Sequence, residues 1–171
     1  PIKSRSFTSC VDAPGGKVCA QTCGGTCKDG WACANVPSGP DLLQICVPKW
    51  GFACEPCLSS ASCQAAVGTV GASCVDYGVA GAFCAASCSA DSDCPTDFHC
   101  AVSKSVEGTS SKQCVRTMAD NASPCGCDAR ASSLGLATKC FAVSGEAKCP
   151  GSRQCDGEGN LTPCDAPPAA L

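Results

Sequence analysis

Apolar residues in this chain gather beside cysteines, and each run is soon interrupted. Few windows hold a helical or strand period for more than a handful of positions. The runs that persist are short. Residues 43–47, 80–84 and 113–116 each set apolar side chains against a cysteine and predict short strands. The first and third close hairpins across 37–40 and 107–111. One short helix is predicted over 60–67, with Ser60 as its cap. Eighteen glycines and 12 prolines punctuate the rest, so regular structure is expected to be sparse.

The cysteines carry a longer period. Cys10-Val11-Asp12 returns 64 residues later as Cys74-Val75-Asp76. Cys19, Cys23, Cys27, Cys33 and Cys46 answer to Cys84, Cys88, Cys94, Cys100 and Cys114. Cys54 and Cys57 close the first unit as Cys125 and Cys127 close the second, and Cys140, Cys149 and Cys155 open a third. Self-similarity at a fixed period predicts strung modules, each a supersecondary unit. The expected organisation is module 1 at 1–63, module 2 at 64–127, and a partial or divergent module 3 at 128–171. The expected fold class is small and disulfide-rich: tandem cystine-stapled modules with short β-hairpins and little helix, strung into an elongated array. Every cysteine named so far is expected to be a structural half-cystine. The total of 21 is odd. Cys63 lies in an insertion with no repeat mate and Cys164 lies near the chain end. These two are the candidates for an unpaired or inter-chain cysteine.

Composition explains why cross-links are needed. Leu, Ile, Val and Phe supply 26 of 171 residues, below the level at which a chain builds a large core. Net charge is only −3, so repulsion is not the cause. Disulfides offset missing burial by restricting the unfolded chain, each by roughly 2–4 kcal/mol. Cystine at this density implies a secreted, periplasmic or cell-surface setting. The sequence contains no apolar run long enough for a membrane-spanning helix. It has no Lys/Arg run either, which argues against nucleic acid and anionic lipid as partners. It opens at Pro1 without a charged, then apolar, leader and reads as a mature or excised segment.

Candidate chemistry is thin. Asp91 and Asp93, at i and i+2, could offer oxygens to calcium, or close Asx turns before Cys94. Cys54-Glu55-Pro56-Cys57 has redox spacing without a βαβ scaffold, so cystines are expected there. Zinc on Cys54, Cys57, Cys125 and Cys127 would need thiolates that an oxidising compartment removes. His99, the sole histidine, would have to serve any triad and is expected instead to be a loop residue. Trp31 matches Phe98 in the repeat and is expected to pack on a cystine. Trp50 has no aromatic mate and is the candidate binding anchor. Asn121 and Asn160 head glycosylation sequons. No cofactor and no metal are expected.

The stretch Cys88-Ser89-Ala90-Asp91-Ser92-Asp93-Cys94-Pro95-Thr96-Asp97-Phe98-His99-Cys100, with Cys114-Val115 beyond it, resembles the cysteine-rich repeats of secreted and surface proteins of myxobacteria. It is also similar to the amino-terminal cysteine-rich region of Dickkopf proteins. Whey-acidic-protein inhibitors share the Asp-Cys-Pro stretch but follow it with adjacent cysteines; here Ala101 follows Cys100. The resemblance covers about 100 residues and implies an extracellular cystine-stapled fold. The expected function is structural or adhesive: a stalk, spacer or assembly component that meets other protein subunits or surface proteins, with a possible inter-chain disulfide. An enzyme is not expected. The alternative is a secreted protease inhibitor or small ligand-binding protein that uses an exposed loop, for which residues 104–112 are the long candidate.

Overall fold

A computed structural model describes residues 7–13, 16–117, 125–144 and 147–167. The described residues form five two-stranded antiparallel sheets, each a hairpin or near-hairpin. They are β1 (Phe7–Ala13) with β2 (Gly16–Gln21), β3 (Trp31–Ser38) with β4 (Asp41–Pro48), and β5 (Ser73–Asp76) with β6 (Ala82–Ala85). β7 (Phe98–Lys104) pairs with β8 (Ser110–Arg116), and β9 (Ala137–Ser144) with β10 (Ala147–Gln154). Two short helices, α1 (Ser60–Cys63) and α2 (Ala129–Leu134), lie between them. This is the small disulfide-rich fold with little helix that the composition required.

The expected strands lie where apolar residues meet cysteine, with one shift. Residues 43–47 fall within β4 and 113–116 within β8. Residues 80–84 do not form one strand, because Gly78–Ala80 is a 3-10 turn and β6 begins at Ala82. The helix is shorter than expected and differently capped. It ends at Cys63, and Ser60 lies inside its first turn. The cap comes from far along the chain. The Glu107 carboxylate accepts from the Ser60 backbone N–H and from its hydroxyl, both at 2.7 Å. Ser60 Oγ in turn accepts from the Cys74 N–H at 3.0 Å. These bonds hold Glu107 well below the usual carboxylate range, at about 2.

Eighteen of the 21 cysteines form nine disulfides. Within the first repeat they are Cys23–Cys33 and Cys27–Cys46. The repeat-equivalent bonds are Cys88–Cys100 and Cys94–Cys114. Cys57–Cys74 and Cys63–Cys84 cross from the end of one sequence repeat into the start of the next, and Cys54–Cys125 spans 71 residues. Cys127–Cys155 and Cys140–Cys164 hold the last hairpin.

The pairing differs from expectation in two ways. Cys63 and Cys164 are both bonded within the chain, while Cys10, Cys19 and Cys149 are free. The insertion around Cys63 is not an unpartnered extra. Its helix turns the Cys63 sulfur onto β6, and Cys63 is 1% exposed.

Apolar burial is divided. One cluster holds Val11, Ala20, Ile45 and Val47; a second holds Cys57, Cys63, Ala72, Cys74, Ala82 and Cys84; a third holds Val75, Ala85 and Val115. Cystine sulfur supplies most of the second. Around it, β6 bonds on both edges. Cys54 N–H donates to Cys84 O, Cys84 N–H to Glu55 O, and Cys57 N–H to Ala82 O. Thr138 of β9 closes the edge: its hydroxyl accepts from Ala82 N–H at 2.5 Å and donates to Ala82 O at 2.7 Å.

Candidate functional site

The two repeats meet at an aromatic cleft of about 630 Å³. Each repeat builds its wall in the same way. Lys28 O accepts from Trp31 N–H and Gly30 O from Lys49 N–H; Pro95 O accepts from Phe98 N–H and Asp97 O from Thr117 N–H. Both turns need a left-handed residue just before the aromatic. Gly30 has φ +78° and its repeat mate Asp97 has φ +67°, since Asp tolerates that region better than most residues with a Cβ. Trp31 and Phe98 thus enter β3 and β7 at matching positions and line the same cleft.

Trp50 completes it. Its indole N–H donates to Asp93 O at 2.8 Å, which ties the tail of β4 to the 3-10 turn Asp91–Asp93 of the second repeat. The polar edge of the candidate anchor is therefore used inside the chain, and the ring is what the cleft presents. Pro48, Pro95 and Arg116 also line it. Lys28 Nζ stands 4.3 Å from the Trp31 ring centroid and Lys49 Nζ 5.5 Å from that of Trp50. The result is an apolar, ring-lined hollow in which Arg116 is the one basic lining residue. It could take an extended segment with apolar or proline side chains.

Asp93 Oδ2 accepts from the N–H groups of Ser89 and Ala90, and Asp91 Oδ1 from that of Cys100 at 2.7 Å. The two aspartates organise the loop ahead of β7, and these amides hold Asp93 below its ordinary range. Cys54 and Cys57 bond to Cys125 and Cys74, not to each other, so the pair is not a redox dithiol, and the four cysteines of the zinc arrangement are all in disulfides. His99 is exposed on β7, with Nδ1 3.2 Å from Thr117 Oγ1. Asn160 is exposed in the turn closed by Asp156; Asn121 lies outside the described residues. The candidate inhibitor loop is tied down at its start, while residues 107–110 are exposed. Ser105 pairs with Val75, Val106 N–H donates to Cys74 O, and Glu107 is engaged by α1.

One buried ionisable group had no signal in the sequence. Glu55, 1% exposed, accepts a hydrogen bond from Arg130, whose guanidinium lies 3.6 Å from the Phe52 ring centroid. Burial raises the Glu55 carboxyl to about 8, the Asp128 charge adds to this, and Arg130 opposes it. No protein-family model, no curated protein and no solved structure matches this chain.

Proposed function

We propose that the chain is an extracellular or cell-surface element with a structural or partner-binding role, a spacer, stalk or assembly component held together by cystine. One observation carries this reading. Nine disulfides cross-link a chain whose buried apolar clusters are small and separate. Such a chain keeps its fold only where thiols stay oxidised, outside the reducing cytosol. Among the described residues no helix is long and apolar enough to cross a membrane. The aromatic cleft supports a partner-binding role, because rigid rings set in a walled hollow cost little conformational entropy when a partner is bound. The spacing shared with myxobacterial-type surface repeats points the same way.

Cell fractionation of the native source tests the proposal. The protein is expected in the secreted fraction, or among peptides released by mild proteolysis of intact cells, with the half-cystines refractory to alkylation unless reduced first. A cytosolic protein whose cysteines all alkylate without reduction would overturn it.

A further inference from the structure

Three of the five hairpins obey one cross-linking rule. Each sets two cysteines directly opposite one another: Cys33 and Cys46, Cys74 and Cys84, Cys100 and Cys114. The facing cysteines never bond to each other. Each bonds to one of two cysteines in the segment just before the hairpin, first to first and second to second. The pairs are Cys23–Cys33 with Cys27–Cys46, Cys57–Cys74 with Cys63–Cys84, and Cys88–Cys100 with Cys94–Cys114. The preceding segment is thus a strap, with three or five residues between its cysteines, riveted across the hairpin at both ends.

The β1–β2 hairpin is built for the same strap. Cys10 faces Cys19, and Val11 faces Val18, as Cys74 faces Cys84 and Val75 faces Phe83. Cys10 and Cys19 are nevertheless exposed free thiols with Sγ atoms 3.7 Å apart. Of the strapped facing cysteines, Cys46, Cys74, Cys84 and Cys114 are buried, Cys100 is half-buried and Cys33 is exposed. Hollows of about 280 and 300 Å³ flank the open pair. The first is lined in part by Cys10, Val11 and Pro37, the second by Val18, Cys19 and Trp31. Apart from this pair only Cys149 is free. A single thiol cannot supply a strap, and the straps of a second copy are already used.

We infer that Cys10 and Cys19 are an open receptor for a two-cysteine strap supplied from outside these 171 residues, its first cysteine bonding Cys10 and its second Cys19. Each bond joins one thiol of the hairpin to one of the strap. The two hydrogens and two electrons given up reduce one molecule of a disulfide oxidant to two thiols, so the complete strap consumes two oxidant molecules. The strap belongs either to another polypeptide or to a further stretch of the same one. This goes beyond the proposed extracellular role. Failure of that role would appear as a cytosolic location; failure here appears in the pairing of two named sulfurs.

The chain carries its own probe. A synthetic peptide of residues 55–67 holds Cys57 and Cys63 as its only cysteines. It is mixed with the folded full chain in buffer containing oxidised glutathione. The expected product is a one-to-one adduct with two new disulfides, peptide Cys57 to Cys10 and peptide Cys63 to Cys19, so that alkylatable thiols of the chain fall from three to one. A peptide carrying Cys57→Ser should join Cys19 alone. A Cys10–Cys19 disulfide within the hairpin, no adduct, or the reversed pairing overturns the inference. Non-reducing peptide mapping of the protein from its native source separates the two origins. Reduction releases a second polypeptide if the strap is another chain and releases none if it is the same chain. Native protein with Cys10 and Cys19 both alkylatable, or bonded to each other, overturns it as well.

Discussion

Replacing Thr138 by valine removes one oxygen from the joint between β6 and β9 and keeps the side chain's shape. That oxygen both accepts from Ala82 N–H and donates to Ala82 O. The two ends of Ala82 then fare differently. Its carbonyl keeps a donor, the Cys57 N–H at 3.1 Å. Its N–H points away from β5, as that of Cys84 does when it donates to Glu55 O, and Thr138 Oγ1 is the acceptor on that side. Ala82 and Thr138 are both 0% exposed, so water does not replace the bond. Stranding one buried donor costs about 1–3 kcal/mol, and losing the second bond about 1 more, for a total of roughly 2–4 kcal/mol. Thr138→Ser is the control. It keeps the oxygen and loses a methyl group, at about 1 kcal/mol. Guanidinium unfolding under non-reducing conditions reads both variants, with an unchanged slope showing that the same surface is exposed. If the valine variant unfolds no earlier than the serine variant, the joint is held by packing and the hydrogen-bond account is wrong.

Glu55 sets a pH dependence. Its folded carboxyl titrates at about 8 against an ordinary 4.5, so between those values the folded state holds a proton that the unfolded state has released. Its contribution is full below the lower value and is lost as pH rises through about 8. Glu55→Gln, with free thiols alkylated, should lose less stability than the parent between about pH 5 and pH 9; equal slopes would contradict the assignment. Removing the Cys63–Cys84 bond as a Cys63→Ser, Cys84→Ser pair frees a loop of 21-residue separation. The chain-entropy cost is about 3 kcal/mol, reduced because Cys57–Cys74 still ties the same segment; a thermal midpoint identical to the parent's would rule this out. Three small separate clusters also imply a chain less compact than one built on a single core. Small-angle scattering should give a radius of gyration above the roughly 15–16 Å of a compact chain this long, and a value at or below that would exclude an extended array.

The residues themselves determined the class and the local frame. Cysteine density with few large apolar residues forces a cross-linked fold, because too little surface can be buried to offset chain entropy. Apolar residues beside Cys46 and Cys114 marked β4 and β8, since a strand puts each cysteine on a defined face. The repeat placed Trp31 and Phe98 in matching positions, where both line the cleft. Tertiary structure decided the pairing. Spacing shows which cysteines correspond, but a disulfide depends on which Cβ atoms come within about 4 Å, and loops bring together residues far apart in the chain. Cys63 looked spare because it lies in an insertion, yet the turn of α1 that Glu107 caps from 47 residues away carries its sulfur to Cys84. Cys10 and Cys19 looked paired because their repeat mates are. Only the folded chain shows that those mates bond to a strap, and that the first hairpin displays its two sulfurs with none across them. The Glu55–Arg130 pair likewise spans 75 residues. No local pattern announces such a contact, because it is formed by the packing of α2 against the closing turn of the first repeat.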